Sequence, residues 1–316
     1  MEDQLTVFTI ADASHIPGVV GLVESLRDSG FAGPICVGAM DAATSRLDGD
    51  GLQTLEVNAS EDAFPGNLKP ALVLEHKCTR FLYLDADIVV TNPGFLERIL
   101  DWIDTAPVFA AEAMIAPSDY RRHTWGEVID GPLQSKSTVY YNSGMFAGAK
   151  PRDRGLLRRW EQLNETVIDP EDRHRSNEDF PMPDQDTLNA ILQRCGPQEI
   201  VSIQPPDWWN AAAPSDPFFH VGGFAGSPAF LHCTTSQKPW LLDAIPPRPP
   251  NRYERTWVEH VTGDSTSISH EVSLPLGIRR WLNGTLETRI AVKLKQFKNR
   301  FFPNGGSGII PKIRSH

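Results

Sequence analysis

Apolar positions in this chain fall into short blocks of two alternating kinds. Leu5–Ala11 (LTVFTIA) is an unbroken apolar, β-branched run ended by Asp12 and Ser14, the pattern of a strand buried on both faces. From Pro17 to Ser29 the spacing changes. Val20, Val23 and Leu26 recur at helical intervals, a proline opens the stretch and Gly30 follows it, which predicts a helix. Pro34–Ala39, Leu52–Val57 and Arg80–Leu84 predict further strands, and Asn67-Leu68-Lys69-Pro70 opens a helix running through Glu75. Val108–Ala113 and Val139–Ala149 predict later strands and Arg154–Thr166 and Gln185–Cys195 helices, while polar Asp169–Pro183 predicts a loop. Strands alternating with helices imply an α/β fold: a Rossmann-like, mostly parallel sheet flanked by helices.

After Trp240 the pattern gives way to Ile245-Pro246-Pro247-Arg248-Pro249-Pro250, a stiff polyproline-type linker. The chain therefore divides into a body, residues 1–245, and a Pro-rich linker with a basic, partly helical C-terminal extension, residues 246–316. In the extension Leu286, Ile290, Leu294, Phe297 and Phe301 trace one face of a helix that Pro303 ends. Gly277–His316 holds nine basic residues and one acidic, so with a net charge of −10 overall the remainder carries −18. An acidic body argues against nucleic acid as its partner. The basic amphipathic tail fits an anionic membrane surface, or else docks on the acidic body.

At 316 residues and 40% hydrophobic, the chain can bury a substantial core. No run of about 18 apolar residues occurs, and the acidic start Met1–Gln4 lacks the basic opening of a secretory signal. The four cysteines (Cys36, Cys78, Cys195, Cys233) are scattered without metal-type spacing, as expected of reduced thiols. The expected setting is cytoplasmic, with peripheral membrane attachment if the tail meets a membrane rather than the body.

Four stretches carry chemistry. Phe81-Leu82-Tyr83-Leu84-Asp85-Ala86-Asp87 places two carboxylates, one small residue apart, at the C-terminal end of a buried strand, where open α/β sheets bind ligands. Both can face one hard cation whose other positions take diphosphate oxygens. An isolated pair of this kind is more often a polar strand end; the strand context favours a ligand site. His232 follows apolar Ala229-Phe230-Leu231 and precedes Lys238 by six residues. Alone it reads as a core histidine; with the lysine it supplies an imidazole for an ion and a cation for phosphates. Pro183-Asp184-Gln185-Asp186 opens a helix, with Asp184 a good N-cap. Tyr140-Tyr141-Asn142-Ser143-Gly144-Met145 interrupts an apolar strand with polar residues, the mark of a β-bulge, and bulges cluster beside active sites.

Together these pieces resemble glycosyltransferase family 8, the GT-A-fold group that includes glycogenin and lipooligosaccharide galactosyltransferases. The matching residues run in the family's order over positions 5 to 240: Phe8-Thr9-Ile10-Ala11-Asp12, Lys69, Leu82–Asp87, Asn142-Ser143-Gly144, Asp184-Gln185-Asp186 with Leu188-Asn189, Trp209-Asn210, and His232 through Trp240. The resemblance implies that Asp85, Asp87 and His232 ligate manganese (or magnesium) and that Ala86 meets the ribose through its backbone. It places Thr9, Ala11, Asp12 and His15 near the base, and Lys69 and Lys238 on the donor sugar and diphosphate, with Thr235 between. Asn142, Ser143, Asp184 and Gln185 would surround the transferred sugar, and Glu112, Trp209 and Asn210 the acceptor. Two positions depart from the family: Ser14-His15 stand where a tyrosine usually stacks on uracil, and Thr235 replaces a glycine.

The implied activity is a metal-dependent, retaining transfer of a hexose from a nucleotide-diphospho-sugar, UDP-sugar by resemblance, to a glycan, lipid-linked or other hydroxyl acceptor. Asp184, Gln185 and Lys238 are the expected catalytic residues. A sugar-1-phosphate nucleotidyltransferase would share the scaffold, but it usually carries a basic glycine-rich loop after the first strand, and Ala11–Gly18 has no such basic residue. A non-catalytic carbohydrate-binding protein would have lost the metal ligands.

Overall fold

A computed structural model describes residues 4–57, 64–129, 138–167, 180–196, 198–204, 208–210, 228–246, 248–262 and 267–284. In chain order the elements are β1 (Leu5–Ala11), α1 (Ile16–Asp28), β2 (Ile35–Ala39), β3 (Leu52–Glu56), α2 (Lys69–Glu75), β4 (Arg80–Leu84), β5 (Ile88–Val90), α3 (Gly94–Thr105), β6 (Val108–Met114), α4 (Tyr120–Val128), β7 (Val139–Ala149), α5 (Lys150–Val167), α6 (Pro183–Leu192), β8 (Val201–Ile203), β9 (Trp209–Asn210), β10 (Phe230–His232), α7 (Arg252–Val261) and α8 (Leu276–Leu282). A seven-stranded sheet runs β3-β2-β1-β4-β7-β6-β8, and β5, β10 and β9 form a second, smaller sheet.

β1 pairs in parallel with β2 and β4, β2 with β3, and β6 with β8; β7 runs antiparallel between β4 and β6. The chain moves outward from β1 to β3 and then returns to lay β4 on the other side of β1. That reversal leaves a crevice at the C-terminal ends of β1 and β4, the usual ligand position in an open α/β sheet. β1 is buried throughout, as its unbroken apolar sequence requires. α1 ends as its sequence predicts: Gly30 takes a positive φ of 86° and its N–H donates to Arg27 O at 2.9 Å, closing the last turn.

One large apolar cluster joins β1, β4 and α1 to the C-terminal extension, including Tyr253, Trp257, Val258, Ile268, Ile278 and Trp281. α7 lies on α1 because Gly21 has no side chain: a Cβ there would run into the Trp257 indole. Trp257 Nε1 donates to Pro17 O at 3.0 Å, and the proline-rich stretch is held by Arg248, which pairs with Glu254 at 2.6 Å and accepts Trp281 Nε1 at its carbonyl. The amphipathic stretch Leu286–Phe301 lies outside the described residues. Among the described residues no helix is long and apolar enough to cross a membrane.

Candidate active site

Two pieces of backbone geometry assemble the site. The first is the end of β4, where Asp85 and Asp87 follow the buried Leu84. The second is the small sheet, whose β10 pairs antiparallel with β5 so that His232 faces Ile88, while Cys233 N donates to Asp87 O at 3.0 Å. Strand pairing thus carries His232 to two carboxylates far earlier in the chain, Asp85 and Asp87. His232 Nε2 lies 3.1 Å from Asp87 Oδ1 and 3.7 Å from Asp85 Oδ2.

The three residues fit a divalent cation. Their ligating atoms all lie within 4.8 Å of one another. His232 is buried and turns its Nε2 toward both carboxylates, and among the described residues its Nδ1 has no hydrogen-bond partner. Gly144 opposite leaves the room: a Cβ there would collide with the His232 ring and come within 2.6 Å of Asp85 Oδ2. Two carboxylates and an imidazole are a donor set that a divalent cation accepts.

Two lysines neutralise this acidic cluster. Lys69, at the start of α2, is buried with its Nζ 3.0 Å from Asp85 Oδ1 and 3.1 Å from Asp184 Oδ2. Burial by itself would depress its pKa, but the two carboxylates outweigh it and hold the ammonium above its ordinary value. Lys238 donates to Asp87 Oδ2 and to Cys233 O. Burial pushes the Asp87 carboxyl up, and His232 and Lys238 more than reverse it, so Asp87 stays ionised well below the usual carboxylate range. Tyr83, to which the sequence pattern assigns no role, points its hydroxyl to Asp85 Oδ1 at 3.1 Å and stacks on Phe146. Its only signal in the sequence is a polar tip two residues before Asp85.

The cleft beside this cluster has a volume of about 320 Å³ and is lined by Ala11, Asp12, His15, Lys69, Asp85, Ala86, Asp87, Thr235 and Lys238, among others. Nine of the residues implied by resemblance therefore share one wall. Thr9 does not: it is fully buried within β1, its hydroxyl without a partner among the described residues. Asp12 Oδ1 lies 2.8 Å from His15 Nδ1 and accepts from Ser14 Oγ, and the histidine hydrogen bond foremost keeps Asp12 ionised.

Asn142, Ser143, Asp184 and Gln185 form the buried floor behind Lys69. Ser143 Oγ donates to Asp184 Oδ2 at 2.7 Å, Ser143 N to Gln185 Oε1 at 3.2 Å, and Lys69 Nζ reaches Ser143 Oγ at 3.3 Å. The β6–β7 pairing shows why. Register shifts between Phe109 and Ala110, and between Ala111 and Ala113, so the polar interruption is a bulged segment. Asn189 clamps it, with Oδ1 accepting from Tyr141 N at 2.8 Å and Nδ2 donating to Tyr141 O at 2.7 Å. Asp184 is not the helix cap its sequence suggested: Met182 holds that position and Pro183 begins α6, which frees the Asp184 side chain for Lys69 and Ser143. Asp186 turns away, accepting from Tyr140 OH at 3.0 Å and Met182 N at 2.8 Å, and burial raises its pKa to about 6. Glu112 contacts this floor; Trp209 and Asn210 form β9 beside β10.

The fold is similar to that of a crystallised active-site mutant of LgtC, with a TM-score of 0.57 and 15% identity over 87% of this chain and 99% of that one. It is also similar to the apo structure of the bifunctional glycosyltransferase WbbM, at TM-score 0.52 and 12% identity, covering 94% of this chain but 52% of WbbM's. A second structure, the galactosyltransferase LgtC with donor and acceptor sugar analogues, aligns at TM-score 0.48 with 15% identity over 75% and 90% of the two chains. No family model and no curated protein matches the sequence. At such identities the likeness establishes the fold, a glycosyltransferase-type α/β sheet.

Proposed function

We propose that this chain is a metal-dependent, retaining glycosyltransferase of the family 8 type, moving a hexose from a uridine-diphospho-sugar to a hydroxyl of a glycan or lipid-linked acceptor. The observation that carries the reading is the convergence of Asp85, Asp87 and His232 beside Lys69 and Lys238 on the cleft at the sheet's switch point. A sugar–diphosphate bond breaks with negative charge developing on the leaving diphosphate, and fixed positive charge in a buried site stabilises that change most effectively. Lys238, paired with Asp87, would stand beside the phosphate oxygens of a donor held through an ion at the same carboxylates. A divalent ion held by Asp85, Asp87 and His232 would supply Lewis-acid neutralisation of those oxygens.

Retention requires either an enzyme nucleophile or attack on the same face as the leaving group. Asp184 is engaged by Lys69 and Ser143, and Asp186 by Tyr140 and the Met182 amide, so neither carboxylate is a free nucleophile. This supports same-face attack, with Gln185 beside the transferred sugar. Ionised Asp12 in the cleft supports a base that offers an imino N–H, as uracil does.

The deciding experiment is a screen of nucleotide sugars with manganese, scoring slow release of nucleoside diphosphate without acceptor, alongside calorimetry of free nucleoside diphosphates. Release from a UDP-sugar with preferential UDP binding is expected. Neither release nor binding with any nucleotide would overturn the reading, and tighter binding of GDP or ADP would overturn the choice of uridine.

A further inference from the structure

We infer that Glu112 is a positioning residue that fixes the amide orientations of Gln185 and Asn142 in the donor-sugar floor, an inference that rests on the glycosyltransferase reading for its catalytic consequence. Glu112 Oε2 accepts from Gln185 Nε2 at 3.0 Å and from Asn142 Nδ2 at 3.1 Å. The far end of each amide is equally constrained: Gln185 Oε1 accepts from Ser143 N at 3.2 Å, and Asn142 Oδ1 from Gly144 N at 2.8 Å.

The chemistry of these partners is one-way. A backbone N–H can only donate and an ionised carboxylate can only accept, so each amide sits between a group that demands its oxygen and a group that demands its nitrogen. Neither can flip without setting donor against donor and acceptor against acceptor. The bulge explains why Glu112 is free for this: the register passes from Ala111–Tyr141 to Ala113–Tyr140, leaving Glu112 without a cross-strand partner. The arrangement continues to the metal ligands, because Gly144 O accepts Asp85 N at 2.8 Å. One carboxylate on β6 thus sets the amide facing the transferred sugar and steadies the strand that holds Asp85.

Replacing Glu112 with glutamine keeps shape but removes the one-way acceptor, since an amide can donate as well as accept. In full-length protein labelled with nitrogen-15 and without donor, Glu112→Gln should shift the side-chain amide resonances of both Gln185 and Asn142, identified by their loss in Gln185→Ala and Asn142→Ala. Unmoved resonances would overturn the inference whether or not the chain is a glycosyltransferase. With a hydrolysable nucleotide sugar and no acceptor, E112Q should lower kcat on the order of tenfold to a hundredfold, with donor KM little changed. It should add nothing in a Gln185→Ala background. Intact hydrolysis with a raised acceptor KM alone would overturn the inference and make Glu112 an acceptor contact. If E112Q unfolds, Glu112→Asp takes its place in the resonance experiment, where a shift of both amides is expected and unmoved ones overturn the inference. A wild-type chain inert toward every nucleotide sugar would instead count against the proposed function, leaving the resonance experiment to decide the amide clamp.

Discussion

The sheet has a concavity at each end, and the two use their charged groups in opposite ways. At the C-terminal end of β1 and β4, about 320 Å³ of space adjoins three carboxylates, two lysines and a buried imidazole with one nitrogen unpartnered among the described residues. At the other end lies a larger groove, about 990 Å³, lined by Thr6, Gln53, His76, Cys78, Lys150 and Arg154 among others. There Lys150 donates to three backbone carbonyls, those of Val73, Leu74 and His76, closing the end of α2. The Cys36 thiol, near His76 Nε2 at 3.6 Å, is pushed up to about 12 by burial and is therefore a protonated, unreactive group at neutral pH. Size does not distinguish a reaction site from a surface groove. Polar capacity left over after folding does.

The largest expected effect tests that contrast at its centre. Asp87→Ala removes a proposed metal ligand that is also the partner of both His232 and Lys238, and turnover should fall by on the order of a thousandfold or more. Melting temperature, followed by circular dichroism, should fall as well, because His232 and Lys238 stay buried without the carboxylate that pairs with both, while the far-UV spectrum at assay temperature should stay native. Full activity in excess chelator would remove the metal from the account altogether. Lys238→Ala should cost about 2 to 4 kcal/mol of transition-state stabilisation, roughly thirtyfold to a thousandfold in kcat. Unchanged kcat would make Lys238 merely the countercharge of Asp87.

Asp186 gives the same end of the sheet a pH signature. Burial raises its folded pKa to about 6, against an unfolded value near 3.9. Between those values the folded state holds a proton that the unfolded state has lost, so stability falls as pH rises through that window. The full shift corresponds to at most about 3 kcal/mol. Urea unfolding of wild type and Asp186→Asn at pH 4 and pH 7 should show the wild type losing more stability than the variant. An equal change in both would show that Asp186 does not titrate there.

How far the sequence carried this picture depends on whether the relevant contact is local. The strands Leu5–Ala11, Arg80–Leu84 and Val139–Ala149 stand where hydrophobic pattern placed them, because burial on both faces leaves a continuous apolar run. Asp85, Asp87 and His232 were legible as chemistry, and the structure brings them together through β10 pairing with β5, a contact no local pattern encodes. The Glu112 amide clamp was not legible, since it depends on a register shift between β6 and β7. The extension shows the same limit. Its proline-rich start is visible in composition, but the seating of Trp257 on Gly21 depends on an apolar face and a missing side chain about 236 residues apart, estimated from the chain numbering.

Lys150→Met sharpens the comparison from the quiet end. The lysine's N–H groups reach the last carbonyls of α2, which otherwise lack intrahelical partners, and a positive charge there also suits the helix dipole. Burial lowers the Lys150 pKa, so the ammonium has been partly withdrawn from water to make these contacts. Methionine keeps the apolar stem and leaves the carbonyls of Val73, Leu74 and His76 to find water, at an expected cost of about 1 to 3 kcal/mol. That loss should appear as a lower urea midpoint with an unchanged slope. Turnover should stay near wild type, because Lys69 at the other end of α2 is locked independently by Asp85 and Asp184. If kcat fell as far as in Lys238→Ala, the two ends of the sheet would have to be treated as one functional unit. A stability loss without a catalytic one keeps the chemistry at the β1–β4 crevice.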